Sequence, residues 1–218
     1  MICLVTDRRR LSTGADAAER LVDLVTAAVR AGFDLIQIRE KDLDARALSA
    51  LVVRCVSAAE GSSTKVLVND RTDVAVAAGA HGVHLRGDSI AAGAARAVMG
   101  GTAVVGRSIH SAREAAEAVN GGGLDYLLFG TLYPSGSKPP GHPLATVDEL
   151  SRACRAGVPV LAIGGLTVER APYVARAGAI GIAGIGLFVP PPGTTADRHL
   201  QRVAAEVRRV FDTCGVVS

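Results

Sequence analysis

The chain has 218 residues and a formal net charge of +3, and 49% of its residues are hydrophobic although only 3% are aromatic. This length, without linkers or charge blocks, predicts a single domain over residues 1–218 whose aliphatic core suits buried parallel strands. The mild charge and the scarcity of aromatic side chains argue against nucleic-acid binding and favour small anionic ligands.

The four cysteines are widely separated and lack the spacing of metal ligands or of a disulfide framework. No apolar run reaches the roughly 18 residues of a membrane span, and the N-terminus lacks the order of a signal peptide. We therefore expect a cytoplasmic protein that does not contact membranes. The oligomeric state is left open, with a homo-oligomer as one alternative.

Short apolar runs alternate with helical patterns along the chain. The runs predict eight strands, at residues 2–6, 34–38, 65–69, 82–85, 103–106, 125–129, 159–163 and 180–185. Helices are predicted at residues 17–30, 45–59, 112–119 and 168–177, with capping boxes from Ser111 to Glu114 and from Thr146 to Glu149. This repetition predicts a (β/α)8 TIM barrel. The alternative, a doubly wound sheet, would favour a glycine-rich turn after the first strand, and residues 6–10 contain no glycine.

Polar residues gather where the predicted strands end, which is where TIM barrels carry their chemistry. Gln37, Arg39 and Lys41 alternate at the end of strand two, so they face one ligand as an anion clamp, although a solvated basic strand end is the alternative. Strands three to five end in further candidates, namely Asn69, Asp70, His84, Arg86, Ser108 and His110.

Glycines follow the last two predicted strands, as Gly164-Gly165 and as Gly184-Ile185-Gly186. Without side chains, their backbone N–H groups can approach a ligand closely, and these two loops commonly hold a phosphate in barrels. Tight turns would also explain either pair. The long glycine- and proline-rich loop over residues 131–144 carries Lys138 and is typical of a lid.

Taken in order, these motifs resemble the thiamine phosphate synthase and thiazole tautomerase superfamily, which shares one barrel. The resemblance covers the whole chain and rests on residues 37–41, 68–71, 82–85, 106–110, 125–130, Lys138 and 162–165.

For the synthase branch, the resemblance implies that Arg39, Lys41, Asn69 and Lys138 hold the pyrophosphate of a pyrimidine diphosphate and that Asp70 binds magnesium. A second metal carboxylate is expected after strand four, but Ser89 stands there and Arg86 replaces a glycine. Asp88, one position away, would supply the ligand if the loop shifts. Losing a carboxylate and gaining a neighbouring cation weakens a magnesium site.

We therefore predict the tautomerase branch, a metal-independent isomerase that aromatises a carboxylated dihydrothiazole phosphate. The resemblance implies that His110 is the acid/base residue, since an imidazole titrates near neutral pH. The two glycine pairs, with Ile185, would hold the substrate phosphate, and Arg39, Lys41 or Arg86 would face the ring carboxylate. Of these three, Arg86 is our own hypothesis, because it stands where the metal-ligand region is altered. For His110, the alternative is a structural role at the start of the following helix. For His84, which the resemblance places near the pyrimidine in synthases, the alternative is a buried core histidine. The other functions kept open are a magnesium-dependent synthase and a non-catalytic barrel that binds a phosphorylated ligand.

Overall fold

Eight parallel strands close into a barrel in the computed structural model, which describes residues 1–136 and 141–214. Each strand pairs with its neighbour in chain order, and the last pairs with the first, Ile2 lying opposite Ile182. The predicted TIM barrel is therefore confirmed. Its strands are β1 (Ile2–Val5), β2 (Leu35–Ile38), β3 (Lys65–Asn69), β4 (Gly82–Leu85), β5 (Val104–Ile109), β6 (Tyr126–Phe129), β7 (Val160–Ile163) and β8 (Gly181–Gly184).

Helices connect the strands around the outside of the barrel. They are α1 (Ala17–Arg30), α2 (Ala45–Ala59), α3 (Thr72–Ala77), α4 (Ala92–Met99), α5 (Ala112–Asn120), α6 (Val147–Ala153), α7 (Ala171–Arg176) and α8 (Ala196–Cys214). Short 3₁₀ turns lie at Arg8–Arg10, Cys154–Ala156, Val168–Arg170 and Gly186–Phe188. No helix among the described residues is both long enough and apolar enough to cross a bilayer.

Side-chain oxygens cap two of the helices as the sequence predicts. Ser111 Oγ accepts from the Glu114 N–H at 3.1 Å, and Thr146 Oγ1 accepts from the Glu149 N–H at 3.1 Å. The reciprocal half of each capping box is absent within the described residues, because Glu114 Oε2 accepts from the His110 N–H and Glu149 Oε2 accepts from the Ala112 N–H. The two glutamates thus bind neighbouring segments instead of their own caps.

The helix predicted over residues 168–177 is divided in the structure. A 3₁₀ turn covers Val168–Arg170, and α7 begins only at Ala171, with a proline in its first turn. Proline has no N–H to donate, but the first helical turn needs no such donor. The proline therefore marks the start of the α-helix, which the hydrophobic pattern alone does not locate.

The strand residues divide into two rows that decide which side chains reach the site. Ile36 and Ile38 belong to the large core between barrel and helices, whereas Leu35 and Leu67 belong to a separate cluster inside the barrel. Because strand side chains alternate, Gln37 and Asn69 continue the interior rows of Leu35 and Leu67. These two polar residues therefore face the barrel mouth.

Candidate active site

A cavity of about 930 Å³ opens at the carboxyl ends of the strands and extends along α5 as far as Gly121 and Gly122. A smaller cavity of about 350 Å³ shares Lys41, Asn69 and Arg86 with it and also contacts Asp70. The structure thus brings most of the candidates together at one barrel mouth. Those lining the larger cavity are Gln37, Arg39, Lys41, Asn69, Arg86, Ser108, His110, Gly164 and Ile185.

The end of β2 presents amide and guanidinium groups to this cavity. Gln37 is buried and donates from Nε2 to Asn69 Oδ1 at 2.9 Å, while its Oε1 is buried without a partner among the described residues. Arg39 is half-buried, and this burial lowers the pKa of its guanidinium despite the nearby carboxylates of Asp7 and Glu40. The Arg39 guanidinium forms no ion pair with any residue that the structure describes. An anionic ligand would supply that missing partner.

Glu40, which the sequence analysis did not single out, anchors the same strand end. Its buried carboxylate accepts from Thr6 Oγ1 at 2.6 Å, from the Arg8 N–H at 3.1 Å and from Arg8 Nη1 at 3.1 Å. Thr6 Oγ1 in turn accepts from the Arg39 N–H at 2.9 Å. Glu40 therefore ties the loop after β1 to the backbone that carries Arg39, a contact between distant segments that no local pattern signals.

Asp70, directly after β3, combines a left-handed backbone with a carboxylate oxygen that has no hydrogen-bond partner among the described residues. Its φ of 61° is in the left-handed region, which costs most residues free energy but which Asp and Asn tolerate better than most others. Its N–H donates to the His84 carbonyl at 2.9 Å, which holds this conformation. Asp70 Oδ1 is buried without a hydrogen-bond partner among the described residues.

Magnesium fits this donor set when a ligand completes it. The described residues contain no cluster of three or more His, Cys, Asp or Glu that would hold a metal alone. Magnesium, however, is typically bound by one or two carboxylates together with substrate phosphates and water. Asp70 offers an oxygen without a hydrogen-bond partner among the described residues, and Asp88 pairs with the same Arg86 guanidinium as Asp70.

His84 is buried behind the cavity wall rather than exposed to a ligand. Its Nδ1 hydrogen-bonds Tyr126 OH at 2.8 Å and its Nε2 hydrogen-bonds Ser108 Oγ at 2.8 Å. The Tyr126 ring packs so closely on β5 that a Cβ added at Gly106 would lie 2.1 Å from it. Of these three residues, Ser108 lines the cavity, and its hydroxyl links His84 to the cavity surface.

This burial predicts a pH dependence of stability. Burial, with the charges of Arg107 and Arg39, lowers the pKa of His84 to about 3 in the folded protein, against about 6.5 in an unfolded chain. Between these values the unfolded chain binds a proton that the folded protein excludes, so stability is full above about pH 6.5 and falls as the pH falls. Urea unfolding at about pH 7 and about pH 5.5 measures this loss.

The variant His84→Gln replaces the imidazole by an amide that does not titrate, so neither the folded nor the unfolded chain binds this proton. We expect its stability to fall less steeply with acidification than that of the wild type, by up to about 1.4 kcal/mol per pH unit. Equal slopes for the two proteins over this window would contradict the assignment.

His110 lines the larger cavity at the end of β5 with its ring half-exposed. Its Nδ1 lies 3.2 Å from Glu114 Oε2, the carboxylate that also accepts from the His110 N–H. His110 therefore lines the cavity and also hydrogen-bonds Glu114 in the first turn of α5, so the structure is compatible with both interpretations drawn from the sequence.

The glycines after β7 are required by the loop that follows β6. Gly164 has a φ of 104°, and a Cβ there would lie 2.5 Å from Thr131 Cγ2. Gly165 has a φ of 58°, and a Cβ there would lie 2.4 Å from the Pro134 carbonyl oxygen. Close packing therefore explains this pair, and of the two only Gly164 lines the larger cavity. Lys138, on the same β6 loop, lies outside the described residues.

The loop after β8 lies beside a cation that the sequence analysis assigned to no site. Ile185 lines the larger cavity, whereas Gly186 does not. Arg10 Nη1 lies 3.7 Å from the position that a Cβ at Gly186 would take, and Arg10 Nε donates to Asp7 Oδ2 at 3.1 Å. Arg10 therefore adds positive charge at the place where the glycines were predicted to hold a phosphate.

The protein family that this chain matches and the relatives that resemble it carry the same enzyme name. Residues 2–188 match the protein family described as thiamine monophosphate synthase. A thiamine-phosphate synthase of Roseiflexus castenholzii is 38% identical over 209 residues, covering 94% of this chain and 89% of that protein. One from Azorhizobium caulinodans is 35% identical over 209 residues, covering 94% of this chain and 95% of that protein.

Among the solved structures similar to this chain, one carries a related name and another shows only a similar fold. The thiamine phosphate pyrophosphorylase from Pyrococcus furiosus has a TM-score of 0.80 and 25% identity, covering 98% of this chain and 96% of that chain. A 3-hexulose-6-phosphate synthase has a TM-score of 0.67 at 19% identity, covering 96% of this chain and 99% of that chain, and shows the fold alone.

The prediction of a thiazole tautomerase, an isomerase, is wrong, because these relatives are named thiamine-phosphate synthases along nearly the whole chain. That prediction rested on Ser89 standing where a second metal carboxylate was expected. The structure is compatible with a magnesium site despite Ser89, since Asp70 Oδ1 has no hydrogen-bond partner among the described residues and Asp88 pairs with the same arginine as Asp70. The acid/base role of His110, the carboxylate contact of Arg86 and the expected lack of a cofactor were parts of that prediction.

Proposed function

Because the chain belongs to the thiamine monophosphate synthase family, we propose that it is a thiamine-phosphate synthase. This transferase joins hydroxymethylpyrimidine diphosphate to a thiazole phosphate and releases pyrophosphate. The observation that carries the proposal is the meeting of Arg39, Lys41 and Arg86 with the unpartnered Asp70 Oδ1 at one barrel mouth. A diphosphate with its metal ion needs both kinds of group.

In this reaction the bond between the pyrimidine methylene carbon and the diphosphate oxygen breaks, and pyrophosphate leaves with the electron pair. The thiazole nitrogen then donates its lone pair to the methylene carbon, forming the new C–N bond. The two substrates would lie side by side at the barrel mouth, which forms part of a cavity of about 930 Å³. Holding them together makes the second step effectively unimolecular.

The cations at the ends of β2 and β4 hold the departing pyrophosphate. Arg39 is positioned by its backbone bond to Thr6 and lacks an ion-pair partner among the described residues, so its guanidinium is available for phosphate oxygens. Lys41 and Asn69 line both cavities and extend the same anion site. Positive charge placed where negative charge develops lowers the barrier to departure.

Magnesium, held by Asp70 with Asp88 nearby, would neutralise the diphosphate and so make it a better leaving group. Gln37 Oε1, buried without a partner among the described residues, is suited to accept a hydrogen bond from an amino group of the pyrimidine. Arg10, beside Gly136 and Gly186, is suited to pair with the phosphate of the thiazole.

The Ser108 hydroxyl offers a polar contact without adding charge. His84, which positions it, is neutral at physiological pH because burial depresses the pKa of its imidazole. A protonated imidazole at this depth would repel a pyrimidine methylene that becomes cationic as pyrophosphate leaves. The neutral histidine therefore suits a reaction that passes through positive charge on the substrate.

The proposal is tested by supplying the purified protein with hydroxymethylpyrimidine diphosphate, the thiazole phosphate and magnesium, and measuring thiamine phosphate and pyrophosphate separately. We expect both products in equal amounts and only when all three are present. Pyrophosphate without thiamine phosphate would indicate hydrolysis, and binding of either substrate without any product would indicate a non-catalytic phosphate-binding barrel. Either result would overturn the proposal.

A further inference from the structure

Arg86, at the start of the loop after β4, lies between two carboxylates at the barrel mouth. Its Nη1 is 3.5 Å from Asp70 Oδ2, and its Nη2 is 2.5 Å from Asp88 Oδ2. Its guanidinium is half-exposed, and it lines both cavities. The residue therefore already neutralises the carboxylate that a divalent cation would need.

A divalent cation and the Arg86 guanidinium repel each other when both contact the Asp70 carboxylate. The guanidinium pairs with Oδ2, whereas the other oxygen, Oδ1, is buried and has no partner among the described residues. A divalent ion bound at Oδ1 would lie within several ångströms of the guanidinium, where like charges repel strongly unless water separates them. Binding of the ion therefore requires the Arg86 side chain to move away.

Arg107 holds the backbone of this loop, whereas the Arg86 side chain is held by ion pairs with Asp70 and Asp88 at the protein surface. Arg107 Nη1 donates to the Arg86 carbonyl at 3.1 Å and to the Gly87 carbonyl at 3.0 Å, and its Nη2 donates to the Ile90 carbonyl. Those bonds fix the loop, so the exposed guanidinium moves by rotating its side chain. The oxygens of a diphosphate would give it a new partner.

We propose that Arg86 is a resident counter-ion of Asp70, which a divalent cation must displace to bind. Arg86 thereby sets the cation affinity of the free protein and makes cation binding easier once a diphosphate attracts the guanidinium away. The inference deepens the proposed synthase function, on which the identity of the cation and of the diphosphate rests.

The test is a titration of the purified protein with Mn²⁺ alone, followed by electron paramagnetic resonance of the free ion, in the wild type and in Arg86→Gln. An exposed ion pair is weak, so the gain on removing it should be modest. We therefore expect Arg86→Gln to bind Mn²⁺ about threefold to fivefold more tightly than the wild type. Arg86→Lys, which keeps the charge, should remain near the wild-type affinity.

Two further variants serve as controls. Arg71→Gln removes a neighbouring charge that pairs with Asp73 rather than Asp70, so we expect less than about a twofold change in Mn²⁺ affinity. In the double variant that combines Asp70→Asn with Arg86→Gln, the tighter Mn²⁺ binding of Arg86→Gln should be lost. An unchanged or weaker affinity in Arg86→Gln, an equal gain in Arg71→Gln, or no Mn²⁺ binding by any of the proteins would overturn the inference.

The two proposals fail separately. Because the titration contains no substrate, a tighter Mn²⁺ site in Arg86→Gln would uphold the counter-ion role even if the protein formed no thiamine phosphate. Conversely, the wild type could form thiamine phosphate and yet bind Mn²⁺ as tightly as Arg86→Gln does. That result would uphold the synthase and exclude the counter-ion role.

Discussion

Replacement of Asp70 by Asn is expected to lower kcat/KM of the synthase reaction by about 10²- to 10³-fold, comparable to the loss of one group that stabilises charge in a transition state. Asn keeps the shape of the side chain and tolerates the left-handed backbone at this position, where φ is 61°. The variant therefore removes the charge of a carboxylate whose Oδ1 is free for a cation while leaving the local structure in place.

The measurement is initial rate against magnesium concentration for the wild type, Asp70→Asn and Asp73→Asn. Asp73 is the matched control, because its carboxylate is exposed and pairs with Arg71 rather than facing the cavity. We expect Asp73→Asn to retain wild-type kinetics. Full activity of Asp70→Asn at saturating magnesium would show that Asp70 does not hold the ion.

Replacement of Glu40 by Ala is expected to destabilise the protein by about 2 to 4 kcal/mol, because it leaves a buried hydroxyl and backbone N–H without their acceptor. The lost partners are Thr6 Oγ1 and the N–H and guanidinium of Arg8. Since Thr6 also accepts from the Arg39 N–H, we further expect a raised KM for the pyrimidine diphosphate.

Urea unfolding measures the loss of stability, and steady-state kinetics below the unfolding transition measures KM. Asp42→Ala is the matched control, since Asp42 also binds the Arg8 guanidinium but is exposed, so its removal should cost less than about 1 kcal/mol. Equal destabilisation by the two substitutions would mean that burial of Glu40 has no special effect.

The error about the tautomerase has a definite origin. The sequence places Ser89 and Arg86 where the resemblance expects a metal carboxylate and a glycine, and that local difference predicts a weakened magnesium site. Cation affinity depends on how several segments meet in space, and here Asp70 follows β3 while Asp88 lies in the loop after β4. A change at one position of such a set does not by itself decide the chemistry.

The sequence by itself determined the barrel and the face that carries the site. Eight apolar runs alternating with amphipathic stretches match the observed strands within a few residues, because buried parallel strands and covering helices impose different periods on the chain. The alternation along β2 likewise predicted that Gln37 and Arg39 face the cavity, as they do.

Only the tertiary structure decided which polar groups pair with one another. Glu40 binds Thr6 and Arg8 across more than thirty residues of sequence, and His84 joins Tyr126 to Ser108 behind the cavity wall. Hydrogen bonds and ion pairs depend on distances of a few ångströms between segments remote in the chain, whereas hydrophobic periodicity is local. The sequence therefore predicts where side chains point, and the closed barrel determines what they meet.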